Sequence, residues 1–378
     1  MNVYLDNAAS TMVSEEAAVA MLRIMREEYG NPSSEHQMGR RAAEELDNAR
    51  KNVADALGAR PEDVFFTSGG TEADNWAVLG SAEALSRKGR HIITSAVEHD
   101  AILEPIKKLG GMGWEITYLD PDNAGRIPAE SFSGALREDT VFASIMLVNN
   151  ETGAINPVRD YSREIKLRGL STVLHTDAVQ GFCKIPLNVK ALGADLVSVS
   201  AHKLHGPKGV GALYIKAGVR LPPLFLGGGQ ESGNRPGTEA LPSIAGFGEA
   251  VLTARSLLEE TAAAVSKLRE YTCARLASQV PEAVTIGEGD SPFILSLSLP
   301  GHKSEVLMSY LGSEGICVSK SAACKKGARS RVLEAMGLKN EVIDGALRLS
   351  FSRYNTQDEA EYFIQTLKKA SQTLLKAL

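Results

Sequence analysis

The sequence lacks the features that mark membrane, secreted or nucleic-acid-binding proteins. None of its apolar runs approaches the roughly 20 residues that a membrane-spanning helix needs. Residues 1–6 show no basic segment followed by an apolar one, so we expect no secretory signal. The net charge of −5 gives no basic excess for nucleic acid. We therefore expect no association with a membrane and no direct binding of nucleic acid.

Cysteine is scarce and widely spread. The four cysteines are Cys183, Cys273, Cys317 and Cys324. They lack the C-x-x-C pairing of structural zinc sites, and their number does not suggest a disulfide framework. This usage predicts free thiols in a reducing cytoplasm and no metal site.

The residues that are present predict a large α/β protein. Hydrophobic residues make up 43% of the chain, and 378 residues allow about two domains. Helical periodicity covers residues 14–28 and 40–57, and apolar strands alternate with helical stretches over about 63–215. That alternation favours a mainly parallel sheet covered on both faces.

The remainder of the chain has a different pattern. Residues 240–280 predict one long helical segment that leaves the first domain. Residues 293–299 alternate like a half-buried strand, and residues 358–378 suggest a closing amphipathic helix. We expect a smaller α+β domain here.

One lysine stands where the sequence predicts the end of a strand. Residues 196–199 form a short apolar run, and a Gly/Pro cluster follows at 206–209. Lys203 lies between them, where α/β sheets commonly place chemistry. Partial loss of hydration there would lower the pKa of the amine and make it a nucleophile. A lysine that merely caps a surface turn is the alternative.

A carboxylate follows a second predicted strand. Asp177 ends the β-branched run that begins at residue 171. An amine and a carboxylate at neighbouring strand ends suit pyridoxal phosphate, since the amine joins the aldehyde and the acid keeps the ring nitrogen protonated. A structural ion pair between Asp177 and Lys203 is the alternative.

A glycine turn supplies the features expected at a phosphate. The strand at residues 64–67 leads through Gly69 and Gly70 into a helical pattern. Free N–H groups and the helix dipole at such a turn attract an anion, and the Thr71 hydroxyl adds a donor. Taken alone, a capped helix without any ligand explains the same residues.

Motifs along the chain resemble those of the cysteine desulfurases of the NifS and IscS type, within the class-V aminotransferase family. They occur in order at residues 4–11, 67–72, 98–99, 148–153, 175–180, 200–203 and 348–353. The resemblance covers nearly the whole chain. It implies a pyridoxal-phosphate-dependent transferase of fold type I, which is α/β. The large cofactor-binding domain would span 14–255, and the small domain 1–13 together with 256–378.

The resemblance also implies roles for individual residues. His99 stacks on the cofactor ring and moves protons, whereas the residues alone would make it a helix cap. The other implied cofactor contacts are Gly70, Thr71, Asn150, Asp177, Gln180, Ser200, His202, Lys203 and Thr238.

The glycine-rich stretch at residues 227–239 is too polar for a core. On its residues alone it is a surface loop or a disordered lid. The resemblance implies that its Thr238 reaches the phosphate bound to a partner subunit. We therefore expect a homodimer.

Arg348 lies in the strand-like run 346–351. A guanidinium there loses hydration unless an anion meets it, and its planar fork suits a substrate carboxylate. The resemblance agrees and adds Asn31 as a helper at that carboxylate. An internal ion pair is the alternative for Arg348.

Cys324 lies among small residues, serines and lysines, and the nearby cations favour its thiolate. The resemblance makes Cys324 the sulfur-accepting nucleophile. Cys317 belongs to an apolar run, so we expect it in the core. Lys325 and Lys326 depart from the usual loop of the family, and this departure leaves the sulfur acceptor undetermined.

These observations lead to one expected activity. The chain would convert L-cysteine to L-alanine and pass the sulfur, as a persulfide on Cys324, to an acceptor protein for iron–sulfur cluster assembly or tRNA thiolation. One alternative is a related lyase, such as selenocysteine lyase, or an aminotransferase that shares the cofactor residues. Another is a non-catalytic sulfur-carrier module, which would need neither Lys203 nor Arg348.

Overall fold

The computed structural model describes residues 2–320 and 329–376. Its strands are β1 (Val3–Tyr4), β2 (Val64–Thr67), β3 (His91–Ser95), β4 (Glu115–Leu119), β5 (Thr140–Ser144), β6 (Val173–Asp177), β7 (Leu196–Ser200), β8 (Gly211–Ile215), β9 (Val284–Ile286), β10 (Ile294–Ser298), β11 (Ile316–Cys317), β12 (Ser319–Lys320) and β13 (Ala346–Ser350). Its α-helices are α1 (Glu15–Arg26), α2 (Gln37–Leu57), α3 (Gly70–Leu85), α4 (Asp100–Gly111), α5 (Ala129–Ala135), α6 (Val158–Leu167), α7 (Val189–Leu192), α8 (Leu241–Ser256), α9 (Leu258–Gln279), α10 (Ser304–Ser313), α11 (Arg331–Ala335), α12 (Asn340–Asp344) and α13 (Gln357–Thr373).

The larger sheet has the strand order β2-β8-β7-β6-β5-β3-β4. Strand β8 runs antiparallel to both of its neighbours, and the other strands pair in parallel. The carboxyl ends of the parallel strands therefore lie along one edge. This arrangement confirms the predicted α/β fold with a mainly parallel sheet.

Helix α2 shows how the sequence builds the layer that covers this sheet. Its buried positions include Ala42, Leu46, Ala49 and Val53, whose spacing of three or four residues places them on one face. The helix ends at Gly58, which adopts the left-handed conformation (φ +68°) that glycine reaches without strain. The buried face packs against α8.

The smaller sheet is antiparallel and has the order β12-β13-β10-β9, while β1 and β11 form a separate parallel pair. Its hydrophobic cluster joins Val3 and Leu5 with residues between 265 and 370. Residues 332–346 instead contribute to the core of the larger sheet. The division at residues 13 and 256 is therefore a proposal that follows the two cores only in part.

Three details differ from the sequence expectations. The helical segment at 240–280 is two helices, which meet at Leu257. Strand β10 is buried on both faces because α12 contacts it as well as the smaller core, so the half-buried prediction was wrong. Cys317 is exposed while Ile316 is buried, because successive strand residues face opposite sides, so the core prediction for Cys317 was also wrong.

Within residues 2–320 and 329–376 no helix is long and apolar enough to cross a membrane. In the same ranges no three His, Cys, Asp or Glu side chains are grouped to hold a metal ion.

Candidate active site

A cavity of about 350 Å³ lies at the carboxyl edge of the larger sheet. The loops that follow β2, β3, β5, β6 and β7 meet the N-terminal segment and β13 here. The residues that line it are Ala8, Ala9, Gly70, Thr71, Asp74, His99, Met146, Val148, Asn150, Asp177, Val179, Gln180, Ser200, His202, Lys203 and Arg348. The structure therefore brings together ten of the predicted site residues.

Lys203 ends the 3₁₀ helix Ala201–Lys203, which directly follows β7. Its Nζ donates to the carbonyl oxygens of Ala8 (2.7 Å) and Ala9 (2.8 Å). The N-terminal segment thus holds the amine at the cavity wall. Lys203 is therefore not a lysine that merely caps a surface turn.

Two buried carboxyl groups line the cavity. Asp177 is 6% exposed and accepts a hydrogen bond from the Val179 N–H at 2.8 Å. Asp74 is 1% exposed, and its Oδ1 accepts no hydrogen bond from any described residue. Burial, with the mutual repulsion of the pair, holds the pKa of Asp74 well above its usual range, and burial also raises the pKa of Asp177. A positively charged ring nitrogen bound in this cavity would be stabilised by a negative charge on these groups, and this fits pyridoxal phosphate.

A buried histidine, His175, lies next to Asp74. The two ring nitrogens of His175 contact the hydroxyls of Ser144 (2.8 Å) and Ser198 (3.0 Å), and Nε2 lies 3.7 Å from Asp74 Oδ1. Burial lowers the pKa of His175 to about 3, so the ring is neutral near pH 7. His175 therefore places no positive charge beside Asp74 near pH 7.

The N-terminus of α3, which also lines the cavity, suits a phosphate. Helix α3 begins at Gly70, and no described side chain caps its Gly69 N-cap, so the N–H groups of the first turn are available to a ligand. The site opens beside them into a cleft of about 380 Å³ that Ser200, His202 and Lys208 also line. A Cβ on Gly70 would lie 2.8 Å from Val179 Cγ2, so a larger residue would displace the cavity wall.

His99 is a helix cap, as its residues alone predict, and it also lies at the cavity. It is the N-cap of α4, where its Nδ1 accepts a hydrogen bond from the Ala101 N–H at 3.1 Å. Because Nδ1 accepts, Nε2 carries the proton in the neutral ring. The same ring lines the cavity.

Arg348 lies in the middle of β13 and is 2% exposed. Its Nη1 donates to the Asn150 carbonyl oxygen (2.9 Å), and its Nη2 donates to Asp6 Oδ1 (2.9 Å). Its Nε has no partner among the described residues. The internal ion pair is therefore present, and one edge of the guanidinium remains available to an anion in the cavity.

Of the three remaining predicted site residues, the two that the structure describes do not line this cavity. Asn31 is exposed, and its side-chain oxygen accepts a hydrogen bond from the Ser33 N–H (2.9 Å). Thr238 is also exposed. Cys324 lies outside the described residues.

The sequence reasoning missed several residues of the site. Asp74 carried a signal, because it follows Gly70 by four residues and so shares its helix face. Lys208 lies in the Gly/Pro cluster at 206–209, which by itself predicts only the end of a strand. Asp6 and Ala8 lie in the motif at residues 4–11, but no local pattern gave them a role, since only the tertiary fold places the N-terminal segment beside β13.

The glycine-rich stretch is anchored, although its composition suggested only a loose loop. Glu231 is 7% exposed, forms an ion pair with Arg50 (2.7 Å) and accepts a hydrogen bond from the Phe66 N–H (2.8 Å). Arg235 pairs with Glu72 at 2.8 Å. These contacts fix the segment that precedes Thr238 against its own chain.

Comparison with known proteins agrees with this geometry. Residues 3–363 match the family "Aminotransferase class-V". The chain is 40% identical to a cysteine desulfurase IscS of Methanosarcina thermophila, over 98% of this chain and 92% of that protein. A solved NifS-like protein superposes with a TM-score of 0.94 at 39% identity, over 99% of this chain and all of that chain. A structure described as SspA in complex with cysteine covers 94% of this chain and all of its own, with a TM-score of 0.81 at 31% identity.

The cavity fits the cofactor of that family, because it combines Lys203, the two buried carboxyl groups and the uncapped N-terminus of α3. The matches extend over nearly the full length of this chain and of each protein compared. This chain belongs to the class-V aminotransferase family of pyridoxal-phosphate-dependent enzymes, among its cysteine desulfurases.

Proposed function

We propose that this chain converts L-cysteine to L-alanine and carries the removed sulfur as a persulfide on Cys324. The observation that supports this most strongly is the single cavity that brings Lys203, Asp177, His99 and Arg348 together. A bound pyridoxal phosphate would supply an electron-accepting ring for breaking the Cα–H bond of the substrate.

The substrate would be oriented by Arg348. Its unpartnered Nε and one neighbouring N–H form a fork for the cysteine carboxylate, and the hydrogen bonds to Asn150 and Asp6 hold that fork in place. The Lys203 amine would take the proton from Cα and return it. His99 Nε2, on the ring that faces the cavity, would exchange protons with the substrate thiol.

The sulfur step balances without an external oxidant. The Cys324 thiolate attacks the substrate sulfur, a new S–S bond forms, and the Cβ–S bond breaks with its electron pair left on the carbon. Two protons, one at Cβ and one at Cα, complete L-alanine. The carbon is reduced while the sulfur is oxidised to the persulfide level.

Residues beside the Cys324 segment connect to the site. Arg331 donates to the Glu98 carbonyl oxygen (2.9 Å) and pairs with Asp100 (3.0 Å), the residues on either side of His99. Ser330 donates to Glu151. Since Arg331 is only seven positions after Cys324, these contacts support a route from that cysteine to the cavity.

The acceptor, the partner subunit and the location extend the proposal. An iron–sulfur scaffold or a tRNA-thiolation protein would take the sulfur in the cytoplasm, where Cys183 and Cys273 stay as free thiols. A homodimer is supported by exposed apolar side chains on α1 and before the glycine-rich stretch. These are Val19, Leu22, Met25, Phe225 and Leu226. The exposed Thr238 would then reach the cofactor phosphate of the partner subunit.

The proposal is tested by measuring L-alanine and sulfide formed from L-cysteine, with a thiol reductant and pyridoxal phosphate present. We expect equal amounts of both products from the wild-type protein and none from Lys203→Ala, whose fold should survive because it loses one side chain at the cavity wall. Loss of L-alanine in Cys324→Ala separates this function from a lyase that needs no cysteine. Full activity of Cys324→Ala would contradict the sulfur step.

A further inference from the structure

A second lysine lies close behind the cofactor cavity. Lys184 is 7% exposed, and within residues 2–320 and 329–376 it forms no ion pair. Its Nζ lies 5.8 Å from the centre of the Phe293 ring and 3.4 Å from Gln180 Oε1, to which it donates. A buried amine needs hydrogen-bond partners, and here the partner belongs to the cavity wall.

The amine donates to Gln180 in either protonation state. Burial, with the positive charges of Lys203 and Arg348, lowers the pKa of Lys184 to about 7. Both the ammonium and the neutral amine carry N–H groups. The contact with Gln180 Oε1 therefore does not depend on the charge of Lys184.

The two ends of the Gln180 amide are held by different partners. Its Nε2 donates to the Ala8 carbonyl oxygen at 2.9 Å, while its Oε1 accepts from Lys184. A flipped amide would place its oxygen against the Ala8 carbonyl oxygen, which is repulsive whatever the charge of Lys184. It would also place its NH₂ group against Lys184, which is repulsive when the lysine is an ammonium. One hydrogen of Nε2 then remains for the cavity, which Gln180 lines.

We propose that Lys184 is a positioning residue that holds the Gln180 amide with its N–H group toward the bound cofactor. An N–H group there stabilises an anionic oxygen of the ligand, whereas a flipped or freely rotating amide would present a carbonyl oxygen and repel it. This inference rests on the proposed function, since it takes the cavity as the cofactor site.

The test is a double-mutant cycle on the affinity of the apoprotein for pyridoxal phosphate. The variants are Lys184→Met, Gln180→Ala and the double variant, and Lys190→Met is the control because Lys190 is an exposed lysine on α7. We expect Lys184→Met to weaken the affinity about tenfold, as for the loss of one hydrogen bond to a charged group. The double variant should be within about twofold of Gln180→Ala, since Lys184 acts through Gln180.

Two further readouts separate positioning from a general loss of structure. The absorbance maximum of the bound cofactor should shift in the same direction in Lys184→Met and Gln180→Ala and stay unchanged in Lys190→Met. Circular dichroism and thermal melting of the apoproteins show whether each variant folds. Should Lys184→Met not fold, Lys184→Gln replaces it in the cycle, because its side chain is one bond shorter and withdraws the donor from Gln180.

The outcomes are distinct. The positioning role would be overturned if the double variant lost affinity by the product of the two single losses. It would also be overturned if Lys184→Met bound pyridoxal phosphate as tightly as Lys190→Met does while Gln180→Ala bound it weakly. Equal affinity of Gln180→Ala and wild type would overturn it as well, yet leave desulfuration standing if L-alanine still forms. A wild-type protein that binds no pyridoxal phosphate would instead defeat the proposed function itself.

Discussion

Replacing Arg348 with lysine should separate substrate binding from the structural ion pair. Lysine keeps a positive charge near Asp6, 2.9 Å from the present Nη2, but it loses the planar fork and the unpartnered Nε. A hydrogen bond between charged groups contributes about 2 kcal/mol, so the loss of one such bond to the cysteine carboxylate corresponds to roughly a 30-fold rise in KM. The value of kcat should change much less, because the carboxylate is held equally before and during the reaction.

The assay is L-alanine formation over a range of L-cysteine concentrations, with Asp6→Asn as the matched control. Asp6→Asn keeps the guanidinium but removes its charged partner. It should therefore lower the melting temperature while raising KM much less than Arg348→Lys does. An unchanged KM in Arg348→Lys would refute the assignment of Arg348 to the carboxylate. An equal rise of KM in Asp6→Asn would show that Arg348 acts mainly through the ion pair.

Further predictions concern stability, the phosphate end and the dimer. Burial raises the pKa of Glu98 to about 8 from its usual 4.5, so the folded state favours the protonated carboxyl. The resulting contribution to the free energy of unfolding is fully present below pH 4.5 and is lost as the pH rises through 8. Urea unfolding at pH 5 and pH 8 should show this loss, and Glu98→Gln should reduce it. Gly70→Ala should weaken the affinity of the apoprotein for pyridoxal phosphate about tenfold, as expected for overpacking against Val179, measured by equilibrium titration. Mixed dimers of Lys203→Ala and Thr238→Ala should regain activity if Thr238 serves the partner subunit, and verified mixed dimers without activity would place Thr238 elsewhere.

The positions that lie at strand ends could be predicted from the sequence because their signals are local. A β-branched run followed by glycine placed Lys203, and a similar run placed Asp177, before any tertiary contact was known. Parallel strands share their carboxyl edge, so two correct strand ends are enough to bring the two side chains together. The same reasoning placed Gly70 at the cavity, whereas the cofactor role of His99 came from the family resemblance.

Residues whose role depends on distant contacts could not be predicted in this way. No local pattern distinguishes Lys184, whose role depends on its contacts with Gln180 and Phe293 in the folded structure. Asp6 likewise becomes the partner of Arg348 only because a bridge joins residues 6 and 350. Cys317 was placed in the core because its neighbours are apolar, but strand alternation turns it outward. Burial on both faces of β10 likewise depends on α12, which is distant in sequence.

Chemical identification of the sulfur carrier tests the central claim most directly. The purified protein, loaded with pyridoxal phosphate, is treated with L-cysteine without reductant, alkylated, digested and analysed by mass spectrometry. We expect one additional sulfur atom on the peptide that contains Cys324, and none in Lys203→Ala treated in the same way. Additional sulfur on Cys317 instead, or full desulfurase activity in Cys324→Ala, would contradict it.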